Sequence, residues 1–105
     1  MNRMTIDFEY GCFPIWIYDD DGKLLINDLP WELSGEKDID DSFIEIQNIY
    51  DSLFIVDSIE VKYIGFDNES EKANFLRLID NAINLIKMKI GNLYVFEKKF
   101  DVKEL

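Results

Sequence analysis

Carboxylates are the side chains most able to do chemistry in this chain, and they are concentrated between residues 19 and 60. This stretch holds thirteen acidic and two basic residues, so it accounts for the whole net charge of −11. Paired carboxylates can act as a general acid and base. The chain has no His, however, to serve as a base at neutral pH or to activate a nucleophile. No catalytic constellation is evident, and we expect a binding protein and not an enzyme.

The run Asp19-Asp20-Asp21-Gly22 is the part of this stretch that most resembles a metal site. A calcium loop of the EF-hand type needs a ligating residue at its first position. Aligning Gly22 with the loop glycine places Ile17 there, and an aliphatic side chain cannot bind a metal. Asp and Gly both favour turns, so the run predicts a hairpin turn. We expect no metal and no other cofactor.

Hydrophobic periodicity predicts the elements that position the acids. Alternation of apolar and polar residues predicts strands, and apolar steps of three and four predict helices. Strands are predicted over 3–10, 13–18, 23–27, 58–66 and 93–100, and helices over 38–54 and 69–90. The order β-β-β-α-β-α-β predicts an α+β two-layer sandwich, in which two helices cover one face of a mixed or mainly antiparallel sheet of about five strands.

The ends of the second helix carry the clearest local signals. Asn68 lies three residues before Glu71, as in a capping box, and Gly91 is well placed to end the helix. The last residues, 101–105, are expected to fray.

Length and composition indicate one domain over residues 1–105. Apolar residues make up 48% of the 105 residues, which is enough to form a core despite the charge. There is no apolar run that could span a membrane and no signal-peptide core near the start. The single Cys12 cannot form an internal disulfide and lacks a His to activate it. We therefore expect a cytoplasmic protein that has no contact with membranes.

Aromatic residues near the acids are candidates for partner contact. If helices cover one face of the sheet, either Trp16 and Tyr18 or the set Phe13, Ile15 and Ile17 must lie on the open face. Aromatic side chains dominate both cores and interface hot spots, so both roles are open for Trp16 and Tyr18. In the connection over 28–37, Trp31 and Leu33 are expected to pin the loop to the body, although Trp31 is also a candidate contact residue.

Two explanations remain open for the acids. Asp38, Asp40 and Asp41 crowd the first turn of a predicted helix, where the helix dipole favours negative charge without any function. The helix dipole does not explain why so many other acids lie in the same stretch. Repulsion among these carboxylates costs stability, so their presence calls for another reason. We therefore expect an acidic partner-binding surface. The candidate residues are Trp16, Tyr18, Asp19, Asp20, Asp21, Trp31, Glu36, Asp38, Asp40, Asp41, Glu45, Tyr50 and Asp51.

Three segments resemble a family of small acidic bacterial proteins that give immunity to polymorphic toxins, including those of contact-dependent growth inhibition systems. The segments are Gly11–Gly22 (GCFPIWIYDDDG), Asn27–Pro30 (NDLP) and Tyr50–Phe54 (YDSLF). The resemblance implies a cytoplasmic protein that binds and neutralises a cognate toxin domain. Many such toxins are nucleases with basic clefts, which an acidic partner would recognise and approach rapidly.

Three other functions are compatible with the sequence. An inhibitor could mimic nucleic acid if its acids were spaced in rows like phosphates. A small adaptor could carry the acidity only for solubility. A carboxylate-dependent enzyme would need two acids in a cleft with shifted pKa values. Direct binding of nucleic acid is not expected, because the bases are few and the net charge is strongly negative. The sequence leaves the oligomeric state open.

Overall fold

Three short strands open the chain in the computed structural model, which describes residues 1–105. They are β1 (Arg3–Ile6), β2 (Ile15–Tyr18) and β3 (Leu24–Ile26), and each is antiparallel to the next. The predicted hairpin turn joins β2 to β3. There, Asp19 Oδ1 accepts the backbone amides of Asp21 and Lys23 at 2.9 Å, and Gly22 takes a φ of +84°.

The rest of the chain adds two helices, a small hairpin and a final strand. These are α1 (Lys37–Asp51), β4 (Phe54–Val56), β5 (Val61–Tyr63), α2 (Glu69–Ile90) and β6 (Val95–Lys98). The last strand, β6, pairs with β1 in parallel, so the main sheet is mixed and has the order β3-β2-β1-β6. Strands β4 and β5 form a separate antiparallel sheet of two strands. Neither helix combines the length and the apolar character that a membrane-spanning segment requires.

Alternate residues of the main sheet meet both helices in one apolar core. The inward side chains of β1 and β2 are Met4, Ile6, Ile15 and Ile17, all buried. From the helices, the core receives Ile39, Phe43 and Ile46 of α1 and Phe75, Ile79, Ala82, Ile83 and Ile86 of α2. This arrangement confirms the predicted α+β class, and no helix covers the opposite face of the sheet, although Thr5 on that face is buried.

Helix α2 matches its prediction at both ends. Asn68 Oδ1 accepts the amide of Glu71 at 2.9 Å, which satisfies one of the free amides of the first turn. Gly91 ends the helix with a φ of +53°, and its amide donates to the carbonyl of Lys87 at 2.9 Å.

The predicted helix over 38–54 and strand over 58–66 are wrong at their junction. Helix α1 ends at Asp51, and Phe54 begins a strand that pairs with Tyr63. The last apolar residues of the predicted helix fit a helical period, but Phe54 packs against Tyr63 with ring centroids 5.2 Å apart. Six strands therefore replace the five predicted, and the order becomes β-β-β-α-β-β-α-β.

Residues 101–105 do not fray as predicted. They form a short 3₁₀ turn, Val102–Glu104, in which Asp101 Oδ1 accepts the amide of Lys103 at 2.9 Å. Lys72 Nζ donates to the backbone oxygen of Leu105 at 3.1 Å, and the Leu105 side chain packs against the core. The predicted strands over 3–10 and 93–100 are also shorter, and Phe8 leaves the sheet to stack on Tyr50.

Candidate partner-binding surface

Trp31 is the most exposed aromatic residue among the candidates. Its side chain is 82% exposed, although Trp is a large apolar residue that proteins normally cover. It lines a groove of about 470 Å³ that we call the Trp31 groove. The groove is formed by Ile26, Asp28, Leu29, Pro30, Trp31, Leu33, Ser34, Gly35, Glu36, Lys37 and Asp40. An apolar floor, an exposed indole and acidic walls together form a surface suited to a basic protein partner.

The backbone at Trp31 is held in place by neighbouring residues before and after it in the chain. Trp31 starts a short 3₁₀ turn, Trp31–Leu33, between the buried Pro30 and Leu33, which is 1% exposed. The hydroxyl of Tyr94 donates to Glu32 Oε1 at 2.7 Å. Burial, with the Glu32 carboxylate beside it, raises the pKa of Tyr94 to about 12, so the hydroxyl remains a donor at neutral pH. Trp31 was predicted to pin the loop, but Leu33, Pro30 and Glu32 do so and leave the indole free.

Carboxylates at the Trp31 groove are only partly neutralised. Glu36 lies 3.6 Å from Lys89, and Asp28 Oδ1 accepts the amide of Leu29 at 2.7 Å. Asp40 lines the groove without an ion pair or a side-chain hydrogen bond. The only base in the groove wall, Lys37, pairs with Asp41 at 2.7 Å, and that carboxylate raises the pKa of the Lys37 ammonium. The groove therefore carries net negative charge.

The N-terminal part of helix α1 carries four of the predicted acids. Asp38 and Asp40 lie in its first turn, where the amide dipoles favour them, and the residue at its N-cap makes no side-chain capping bond. Asp41 and Glu45 border a separate shallow depression beside the exposed Ile44. The structure thus places the predicted Trp31, Glu36 and Asp40 in the Trp31 groove, whereas Asp38, Asp41 and Glu45 lie outside it.

The acids of the β2–β3 turn lie at a different place. Asp19, Asp20 and Asp21 border a cavity of about 400 Å³ on the open face of the main sheet, together with Arg3 and Lys99. The Asp19 carboxylate accepts backbone amides within the turn, and Asp20 pairs with the amino group of Met1 at 2.8 Å. Charges of both signs meet in this cavity. The turn acids therefore do not extend the Trp31 groove.

Trp16 and Tyr18 lie on the open face of the main sheet, because Ile15 and Ile17 face the core. Both aromatic side chains are half-buried, and Trp16 Nε1 donates to the carbonyl of Asp7 at 3.1 Å. This geometry leaves only part of each ring free for a partner.

Tyr50 and Asp51 contribute to the structure of the protein. The Tyr50 ring stacks on Phe8 at 4.9 Å, and Asp51 Oδ1 accepts the amide of Gly11 at 3.0 Å, which fixes the turn before β2. Burial raises the pKa of the Tyr50 hydroxyl. Neither residue lines the Trp31 groove.

Exposed aliphatic residues form part of the surface that the sequence interpretation did not include. Leu24, Leu25 and Ile26 of the edge strand β3 are all exposed, and Ile26 lines the Trp31 groove. The run Lys23-Leu24-Leu25-Ile26 directly after a turn was the available signal, because successive side chains of a strand point to opposite faces and a sheet covered on one face cannot bury all three.

Cys12 and Asp57 have shifted pKa values and lie outside the Trp31 groove. Burial and the nearby Glu9 and Asp51 carboxylates raise the pKa of the Cys12 thiol, which keeps it protonated. Asp57 has a lowered pKa because it accepts two backbone amides, those of Ile59 and Glu60, but it lies fully exposed at a hairpin tip. No group of three or more Cys, Asp or Glu residues is arranged to hold a metal ion.

Comparison of the chain with known protein families and with curated proteins found no match.

Proposed function

We propose that this protein is an immunity-type inhibitor that binds a basic toxin domain in the cytoplasm and neutralises it. The observation that carries this proposal is Trp31, which is 82% exposed on a fixed turn with acidic residues on both sides of it. An anchor on a fixed turn loses little backbone entropy on binding, and acidic surroundings favour basic partners over neutral ones.

Contacts beyond one anchor would come from Glu36 and Asp40 in the groove wall, and from Asp41 and Glu45 at a separate depression on α1. The exposed strand β3 borders the Trp31 groove through Ile26. An apolar centre with a charged rim is the usual composition of a specific protein interface. The long-range field of a net charge of −11 would speed encounter with a positively charged domain.

Mimicry of nucleic acid has less support from this geometry. Phosphate mimicry requires a continuous row of acids along one groove. The acids of the β2–β3 turn border a cavity that also contains Arg3 and Lys99, whereas those of α1 border the Trp31 groove. An adaptor could bind its partner through the same groove. It would differ from an inhibitor because it would leave the partner's activity unchanged.

The test uses three immobilised forms of the full chain: wild type, Trp31→Ala and Ile59→Ala. Ile59 is 91% exposed on the β4–β5 hairpin, so Ile59→Ala controls for the loss of an exposed apolar side chain elsewhere. A partner recovered from the native lysate is purified and expressed alone in a sensitive host. The chain is then co-expressed with it, and association rates are measured at low and high salt.

The proposal expects a basic partner that is toxic alone and harmless with the chain. Trp31→Ala should weaken binding by about 30-fold or more, which corresponds to a hot spot of about 2 kcal/mol. Ile59→Ala should bind normally. Association should slow steeply as salt rises, because the Debye length is only about 10 Å at 0.1 M. A partner that binds but retains its toxicity would refute the inhibitor function, and equal binding by Trp31→Ala would refute the assignment of the surface.

A further inference from the structure

We propose that a second site, an aromatic cleft beside the β4–β5 hairpin, binds an organic cation such as an alkylammonium or guanidinium group. The cleft has a volume of about 470 Å³ and lies between the body of the protein, the hairpin and the C-terminal 3₁₀ turn. Its walls carry five aromatic rings, those of Phe8, Tyr50, Phe54, Tyr63 and Phe100. They come from three parts of the chain, around residues 8, 50–63 and 100, and none of them belongs to the Trp31 groove.

Three pairs of neighbouring rings in the aromatic cleft are steeply inclined to one another, and a fourth pair is stacked. Tyr50 and Phe54 have centroids 5.3 Å apart and planes inclined by 66°, and Phe54 and Tyr63 are 5.2 Å apart and inclined by 71°. Phe8 lies parallel to Tyr50 at 4.9 Å, and Phe100 meets Phe8 edge-on at 5.1 Å. The face of an aromatic ring is the negative pole of its quadrupole and attracts cations. Perpendicular rings can present more than one face to a single cation.

The rim of the aromatic cleft adds negative charge to these ring faces. Asp7, Asp101 and Glu104 line it together with one base, Lys99. Asp7 and Asp101 each accept a neighbouring backbone amide, and Glu104 is exposed without an ion pair. Three carboxylates against one ammonium favour a cationic ligand over an anionic one.

The rings of the aromatic cleft hold no cation from the chain itself. The cation–π contact within the protein joins Lys87 to Phe96, at 5.4 Å, and Phe96 lies outside the cleft. Burial raises the pKa of the Tyr50 and Tyr63 hydroxyls, so the phenols stay neutral and attract a cation through their ring faces. A ligand whose charge is spread over methyl or guanidinium groups loses less hydration than an inorganic ion when it enters such a cleft.

The experiment is an NMR titration of the ¹⁵N-labelled full chain, with no partner present. The probes are tetramethylammonium, N-acetyl-arginine amide and 3,3-dimethylbutanol, a neutral alcohol whose branched alkyl group resembles trimethylammonium in shape. Tyr63→Leu removes one ring from the exposed strand β5, and Tyr63→Phe keeps the ring face. Tyr10→Leu is the matched control, since Tyr10 contacts Phe54 at 5.0 Å but does not line the cleft.

The expected result is saturable shifts in the signals of residues 50, 54 and 63, with a Kd of about 1–10 mM for so small a cation. The neutral alcohol should bind at least about fivefold more weakly, as expected for a cation–π contribution of about 1 kcal/mol. Tyr63→Leu should lose binding, whereas Tyr63→Phe and Tyr10→Leu should retain it. Tighter binding of the arginine amide would assign a guanidinium group to the cleft, and tighter binding of tetramethylammonium would assign an alkylammonium group.

Three outcomes would overturn this inference. They are the absence of saturable shifts up to about 50 mM cation, equal binding of the neutral alcohol, and shifts that persist unchanged in Tyr63→Leu. The first two need no variant, so a failure of Tyr63→Leu to fold would not prevent the test. Because the titration omits any toxin, it also gives the same answer whether or not the inhibitor function proposed for the Trp31 groove is correct.

Discussion

Replacing Tyr94 by Phe should destabilise the protein at pH 7, because it removes the hydroxyl that donates to Glu32 at 2.7 Å. Hydrogen bonds to charged groups contribute about 1.5–3 kcal/mol, and Glu32 is half-buried, so we expect a loss near the lower limit of about 1.5 kcal/mol. Glu32→Gln keeps an acceptor at this position without the charge. Its loss should therefore be smaller.

The same hydroxyl makes stability depend on alkaline pH. The pKa of Tyr94 is raised from 10.0 to about 12 by burial and by the Glu32 carboxylate. The unfolded chain therefore releases this proton first. The contribution of Tyr94 is fully present below pH 10 and is lost as the pH rises through 12. At about pH 11, which is one unit above the unfolded pKa, the wild type should have lost about 1.4 kcal/mol of its stability advantage over Tyr94→Phe, because one pKa unit corresponds to about 1.4 kcal/mol.

Urea unfolding followed by far-UV circular dichroism measures both effects, at pH 7 and at steps from about pH 9 to about 11. The other tyrosines are common to both proteins, so their titration cancels in the difference. The stabilities of wild type and Tyr94→Phe should converge as the pH rises. Equal stabilities at pH 7 with parallel pH profiles would refute the hydrogen bond as the support of the turn that carries Trp31.

Three further substitutions test the rest of the architecture by urea or thermal unfolding. Trp31→Ala should change the free energy of unfolding by less than about 0.5 kcal/mol, and a loss above about 1 kcal/mol would mean that the indole packs on the protein. Asn68→Ala should cost about 1 kcal/mol by removing the helix cap, whereas the exposed mid-helix Asn81→Ala should be neutral or slightly stabilising; equal effects would contradict the cap. Phe43→Ala should cost about 3–5 kcal/mol, and a loss below about 1 kcal/mol would place Phe43 outside the core.

Local signals explain why α2 could be predicted at full length. A cap at Asn68, a terminal Gly91 and an uninterrupted apolar stripe all act within a few residues of one another. The three leading strands were also predictable, because a short turn between two apolar runs leaves little choice except an antiparallel pair.

Non-local pairing explains the failure at the end of α1. Leu53 and Phe54 continue the helical stripe of the sequence, but Phe54 forms a strand opposite Tyr63. Periodicity cannot distinguish these outcomes, since both bury apolar side chains and the decision depends on a strand that comes later in the chain. The parallel pairing of β1 with β6 could not be predicted either, because it also depends on a strand much later in the chain.

The sequence could indicate which residue types form the candidate site, but it could not indicate how they are arranged in space. Acidic density and the aromatic candidates could be identified from the sequence, including Trp31. Exposure could not be predicted for Trp31, because it depends on Leu33, Pro30 and Tyr94 occupying the interior around it. The aromatic cleft was not predictable, since its five rings are brought together only by tertiary structure.

The pairing of β1 with β6 has a consequence for synthesis of the protein on the ribosome. Arg3 is opposite Val95, so one of the two neighbours of β1 is made long after β1 itself. Until residues 95–98 emerge, β1 is an open edge beside an apolar core, and such edges invite pairing with other chains. We expect the main sheet to be completed only after residues 95–98 have been made, with a rate limited by this long-range contact. Nascent chains stalled before residue 95 should be the form most prone to aggregate.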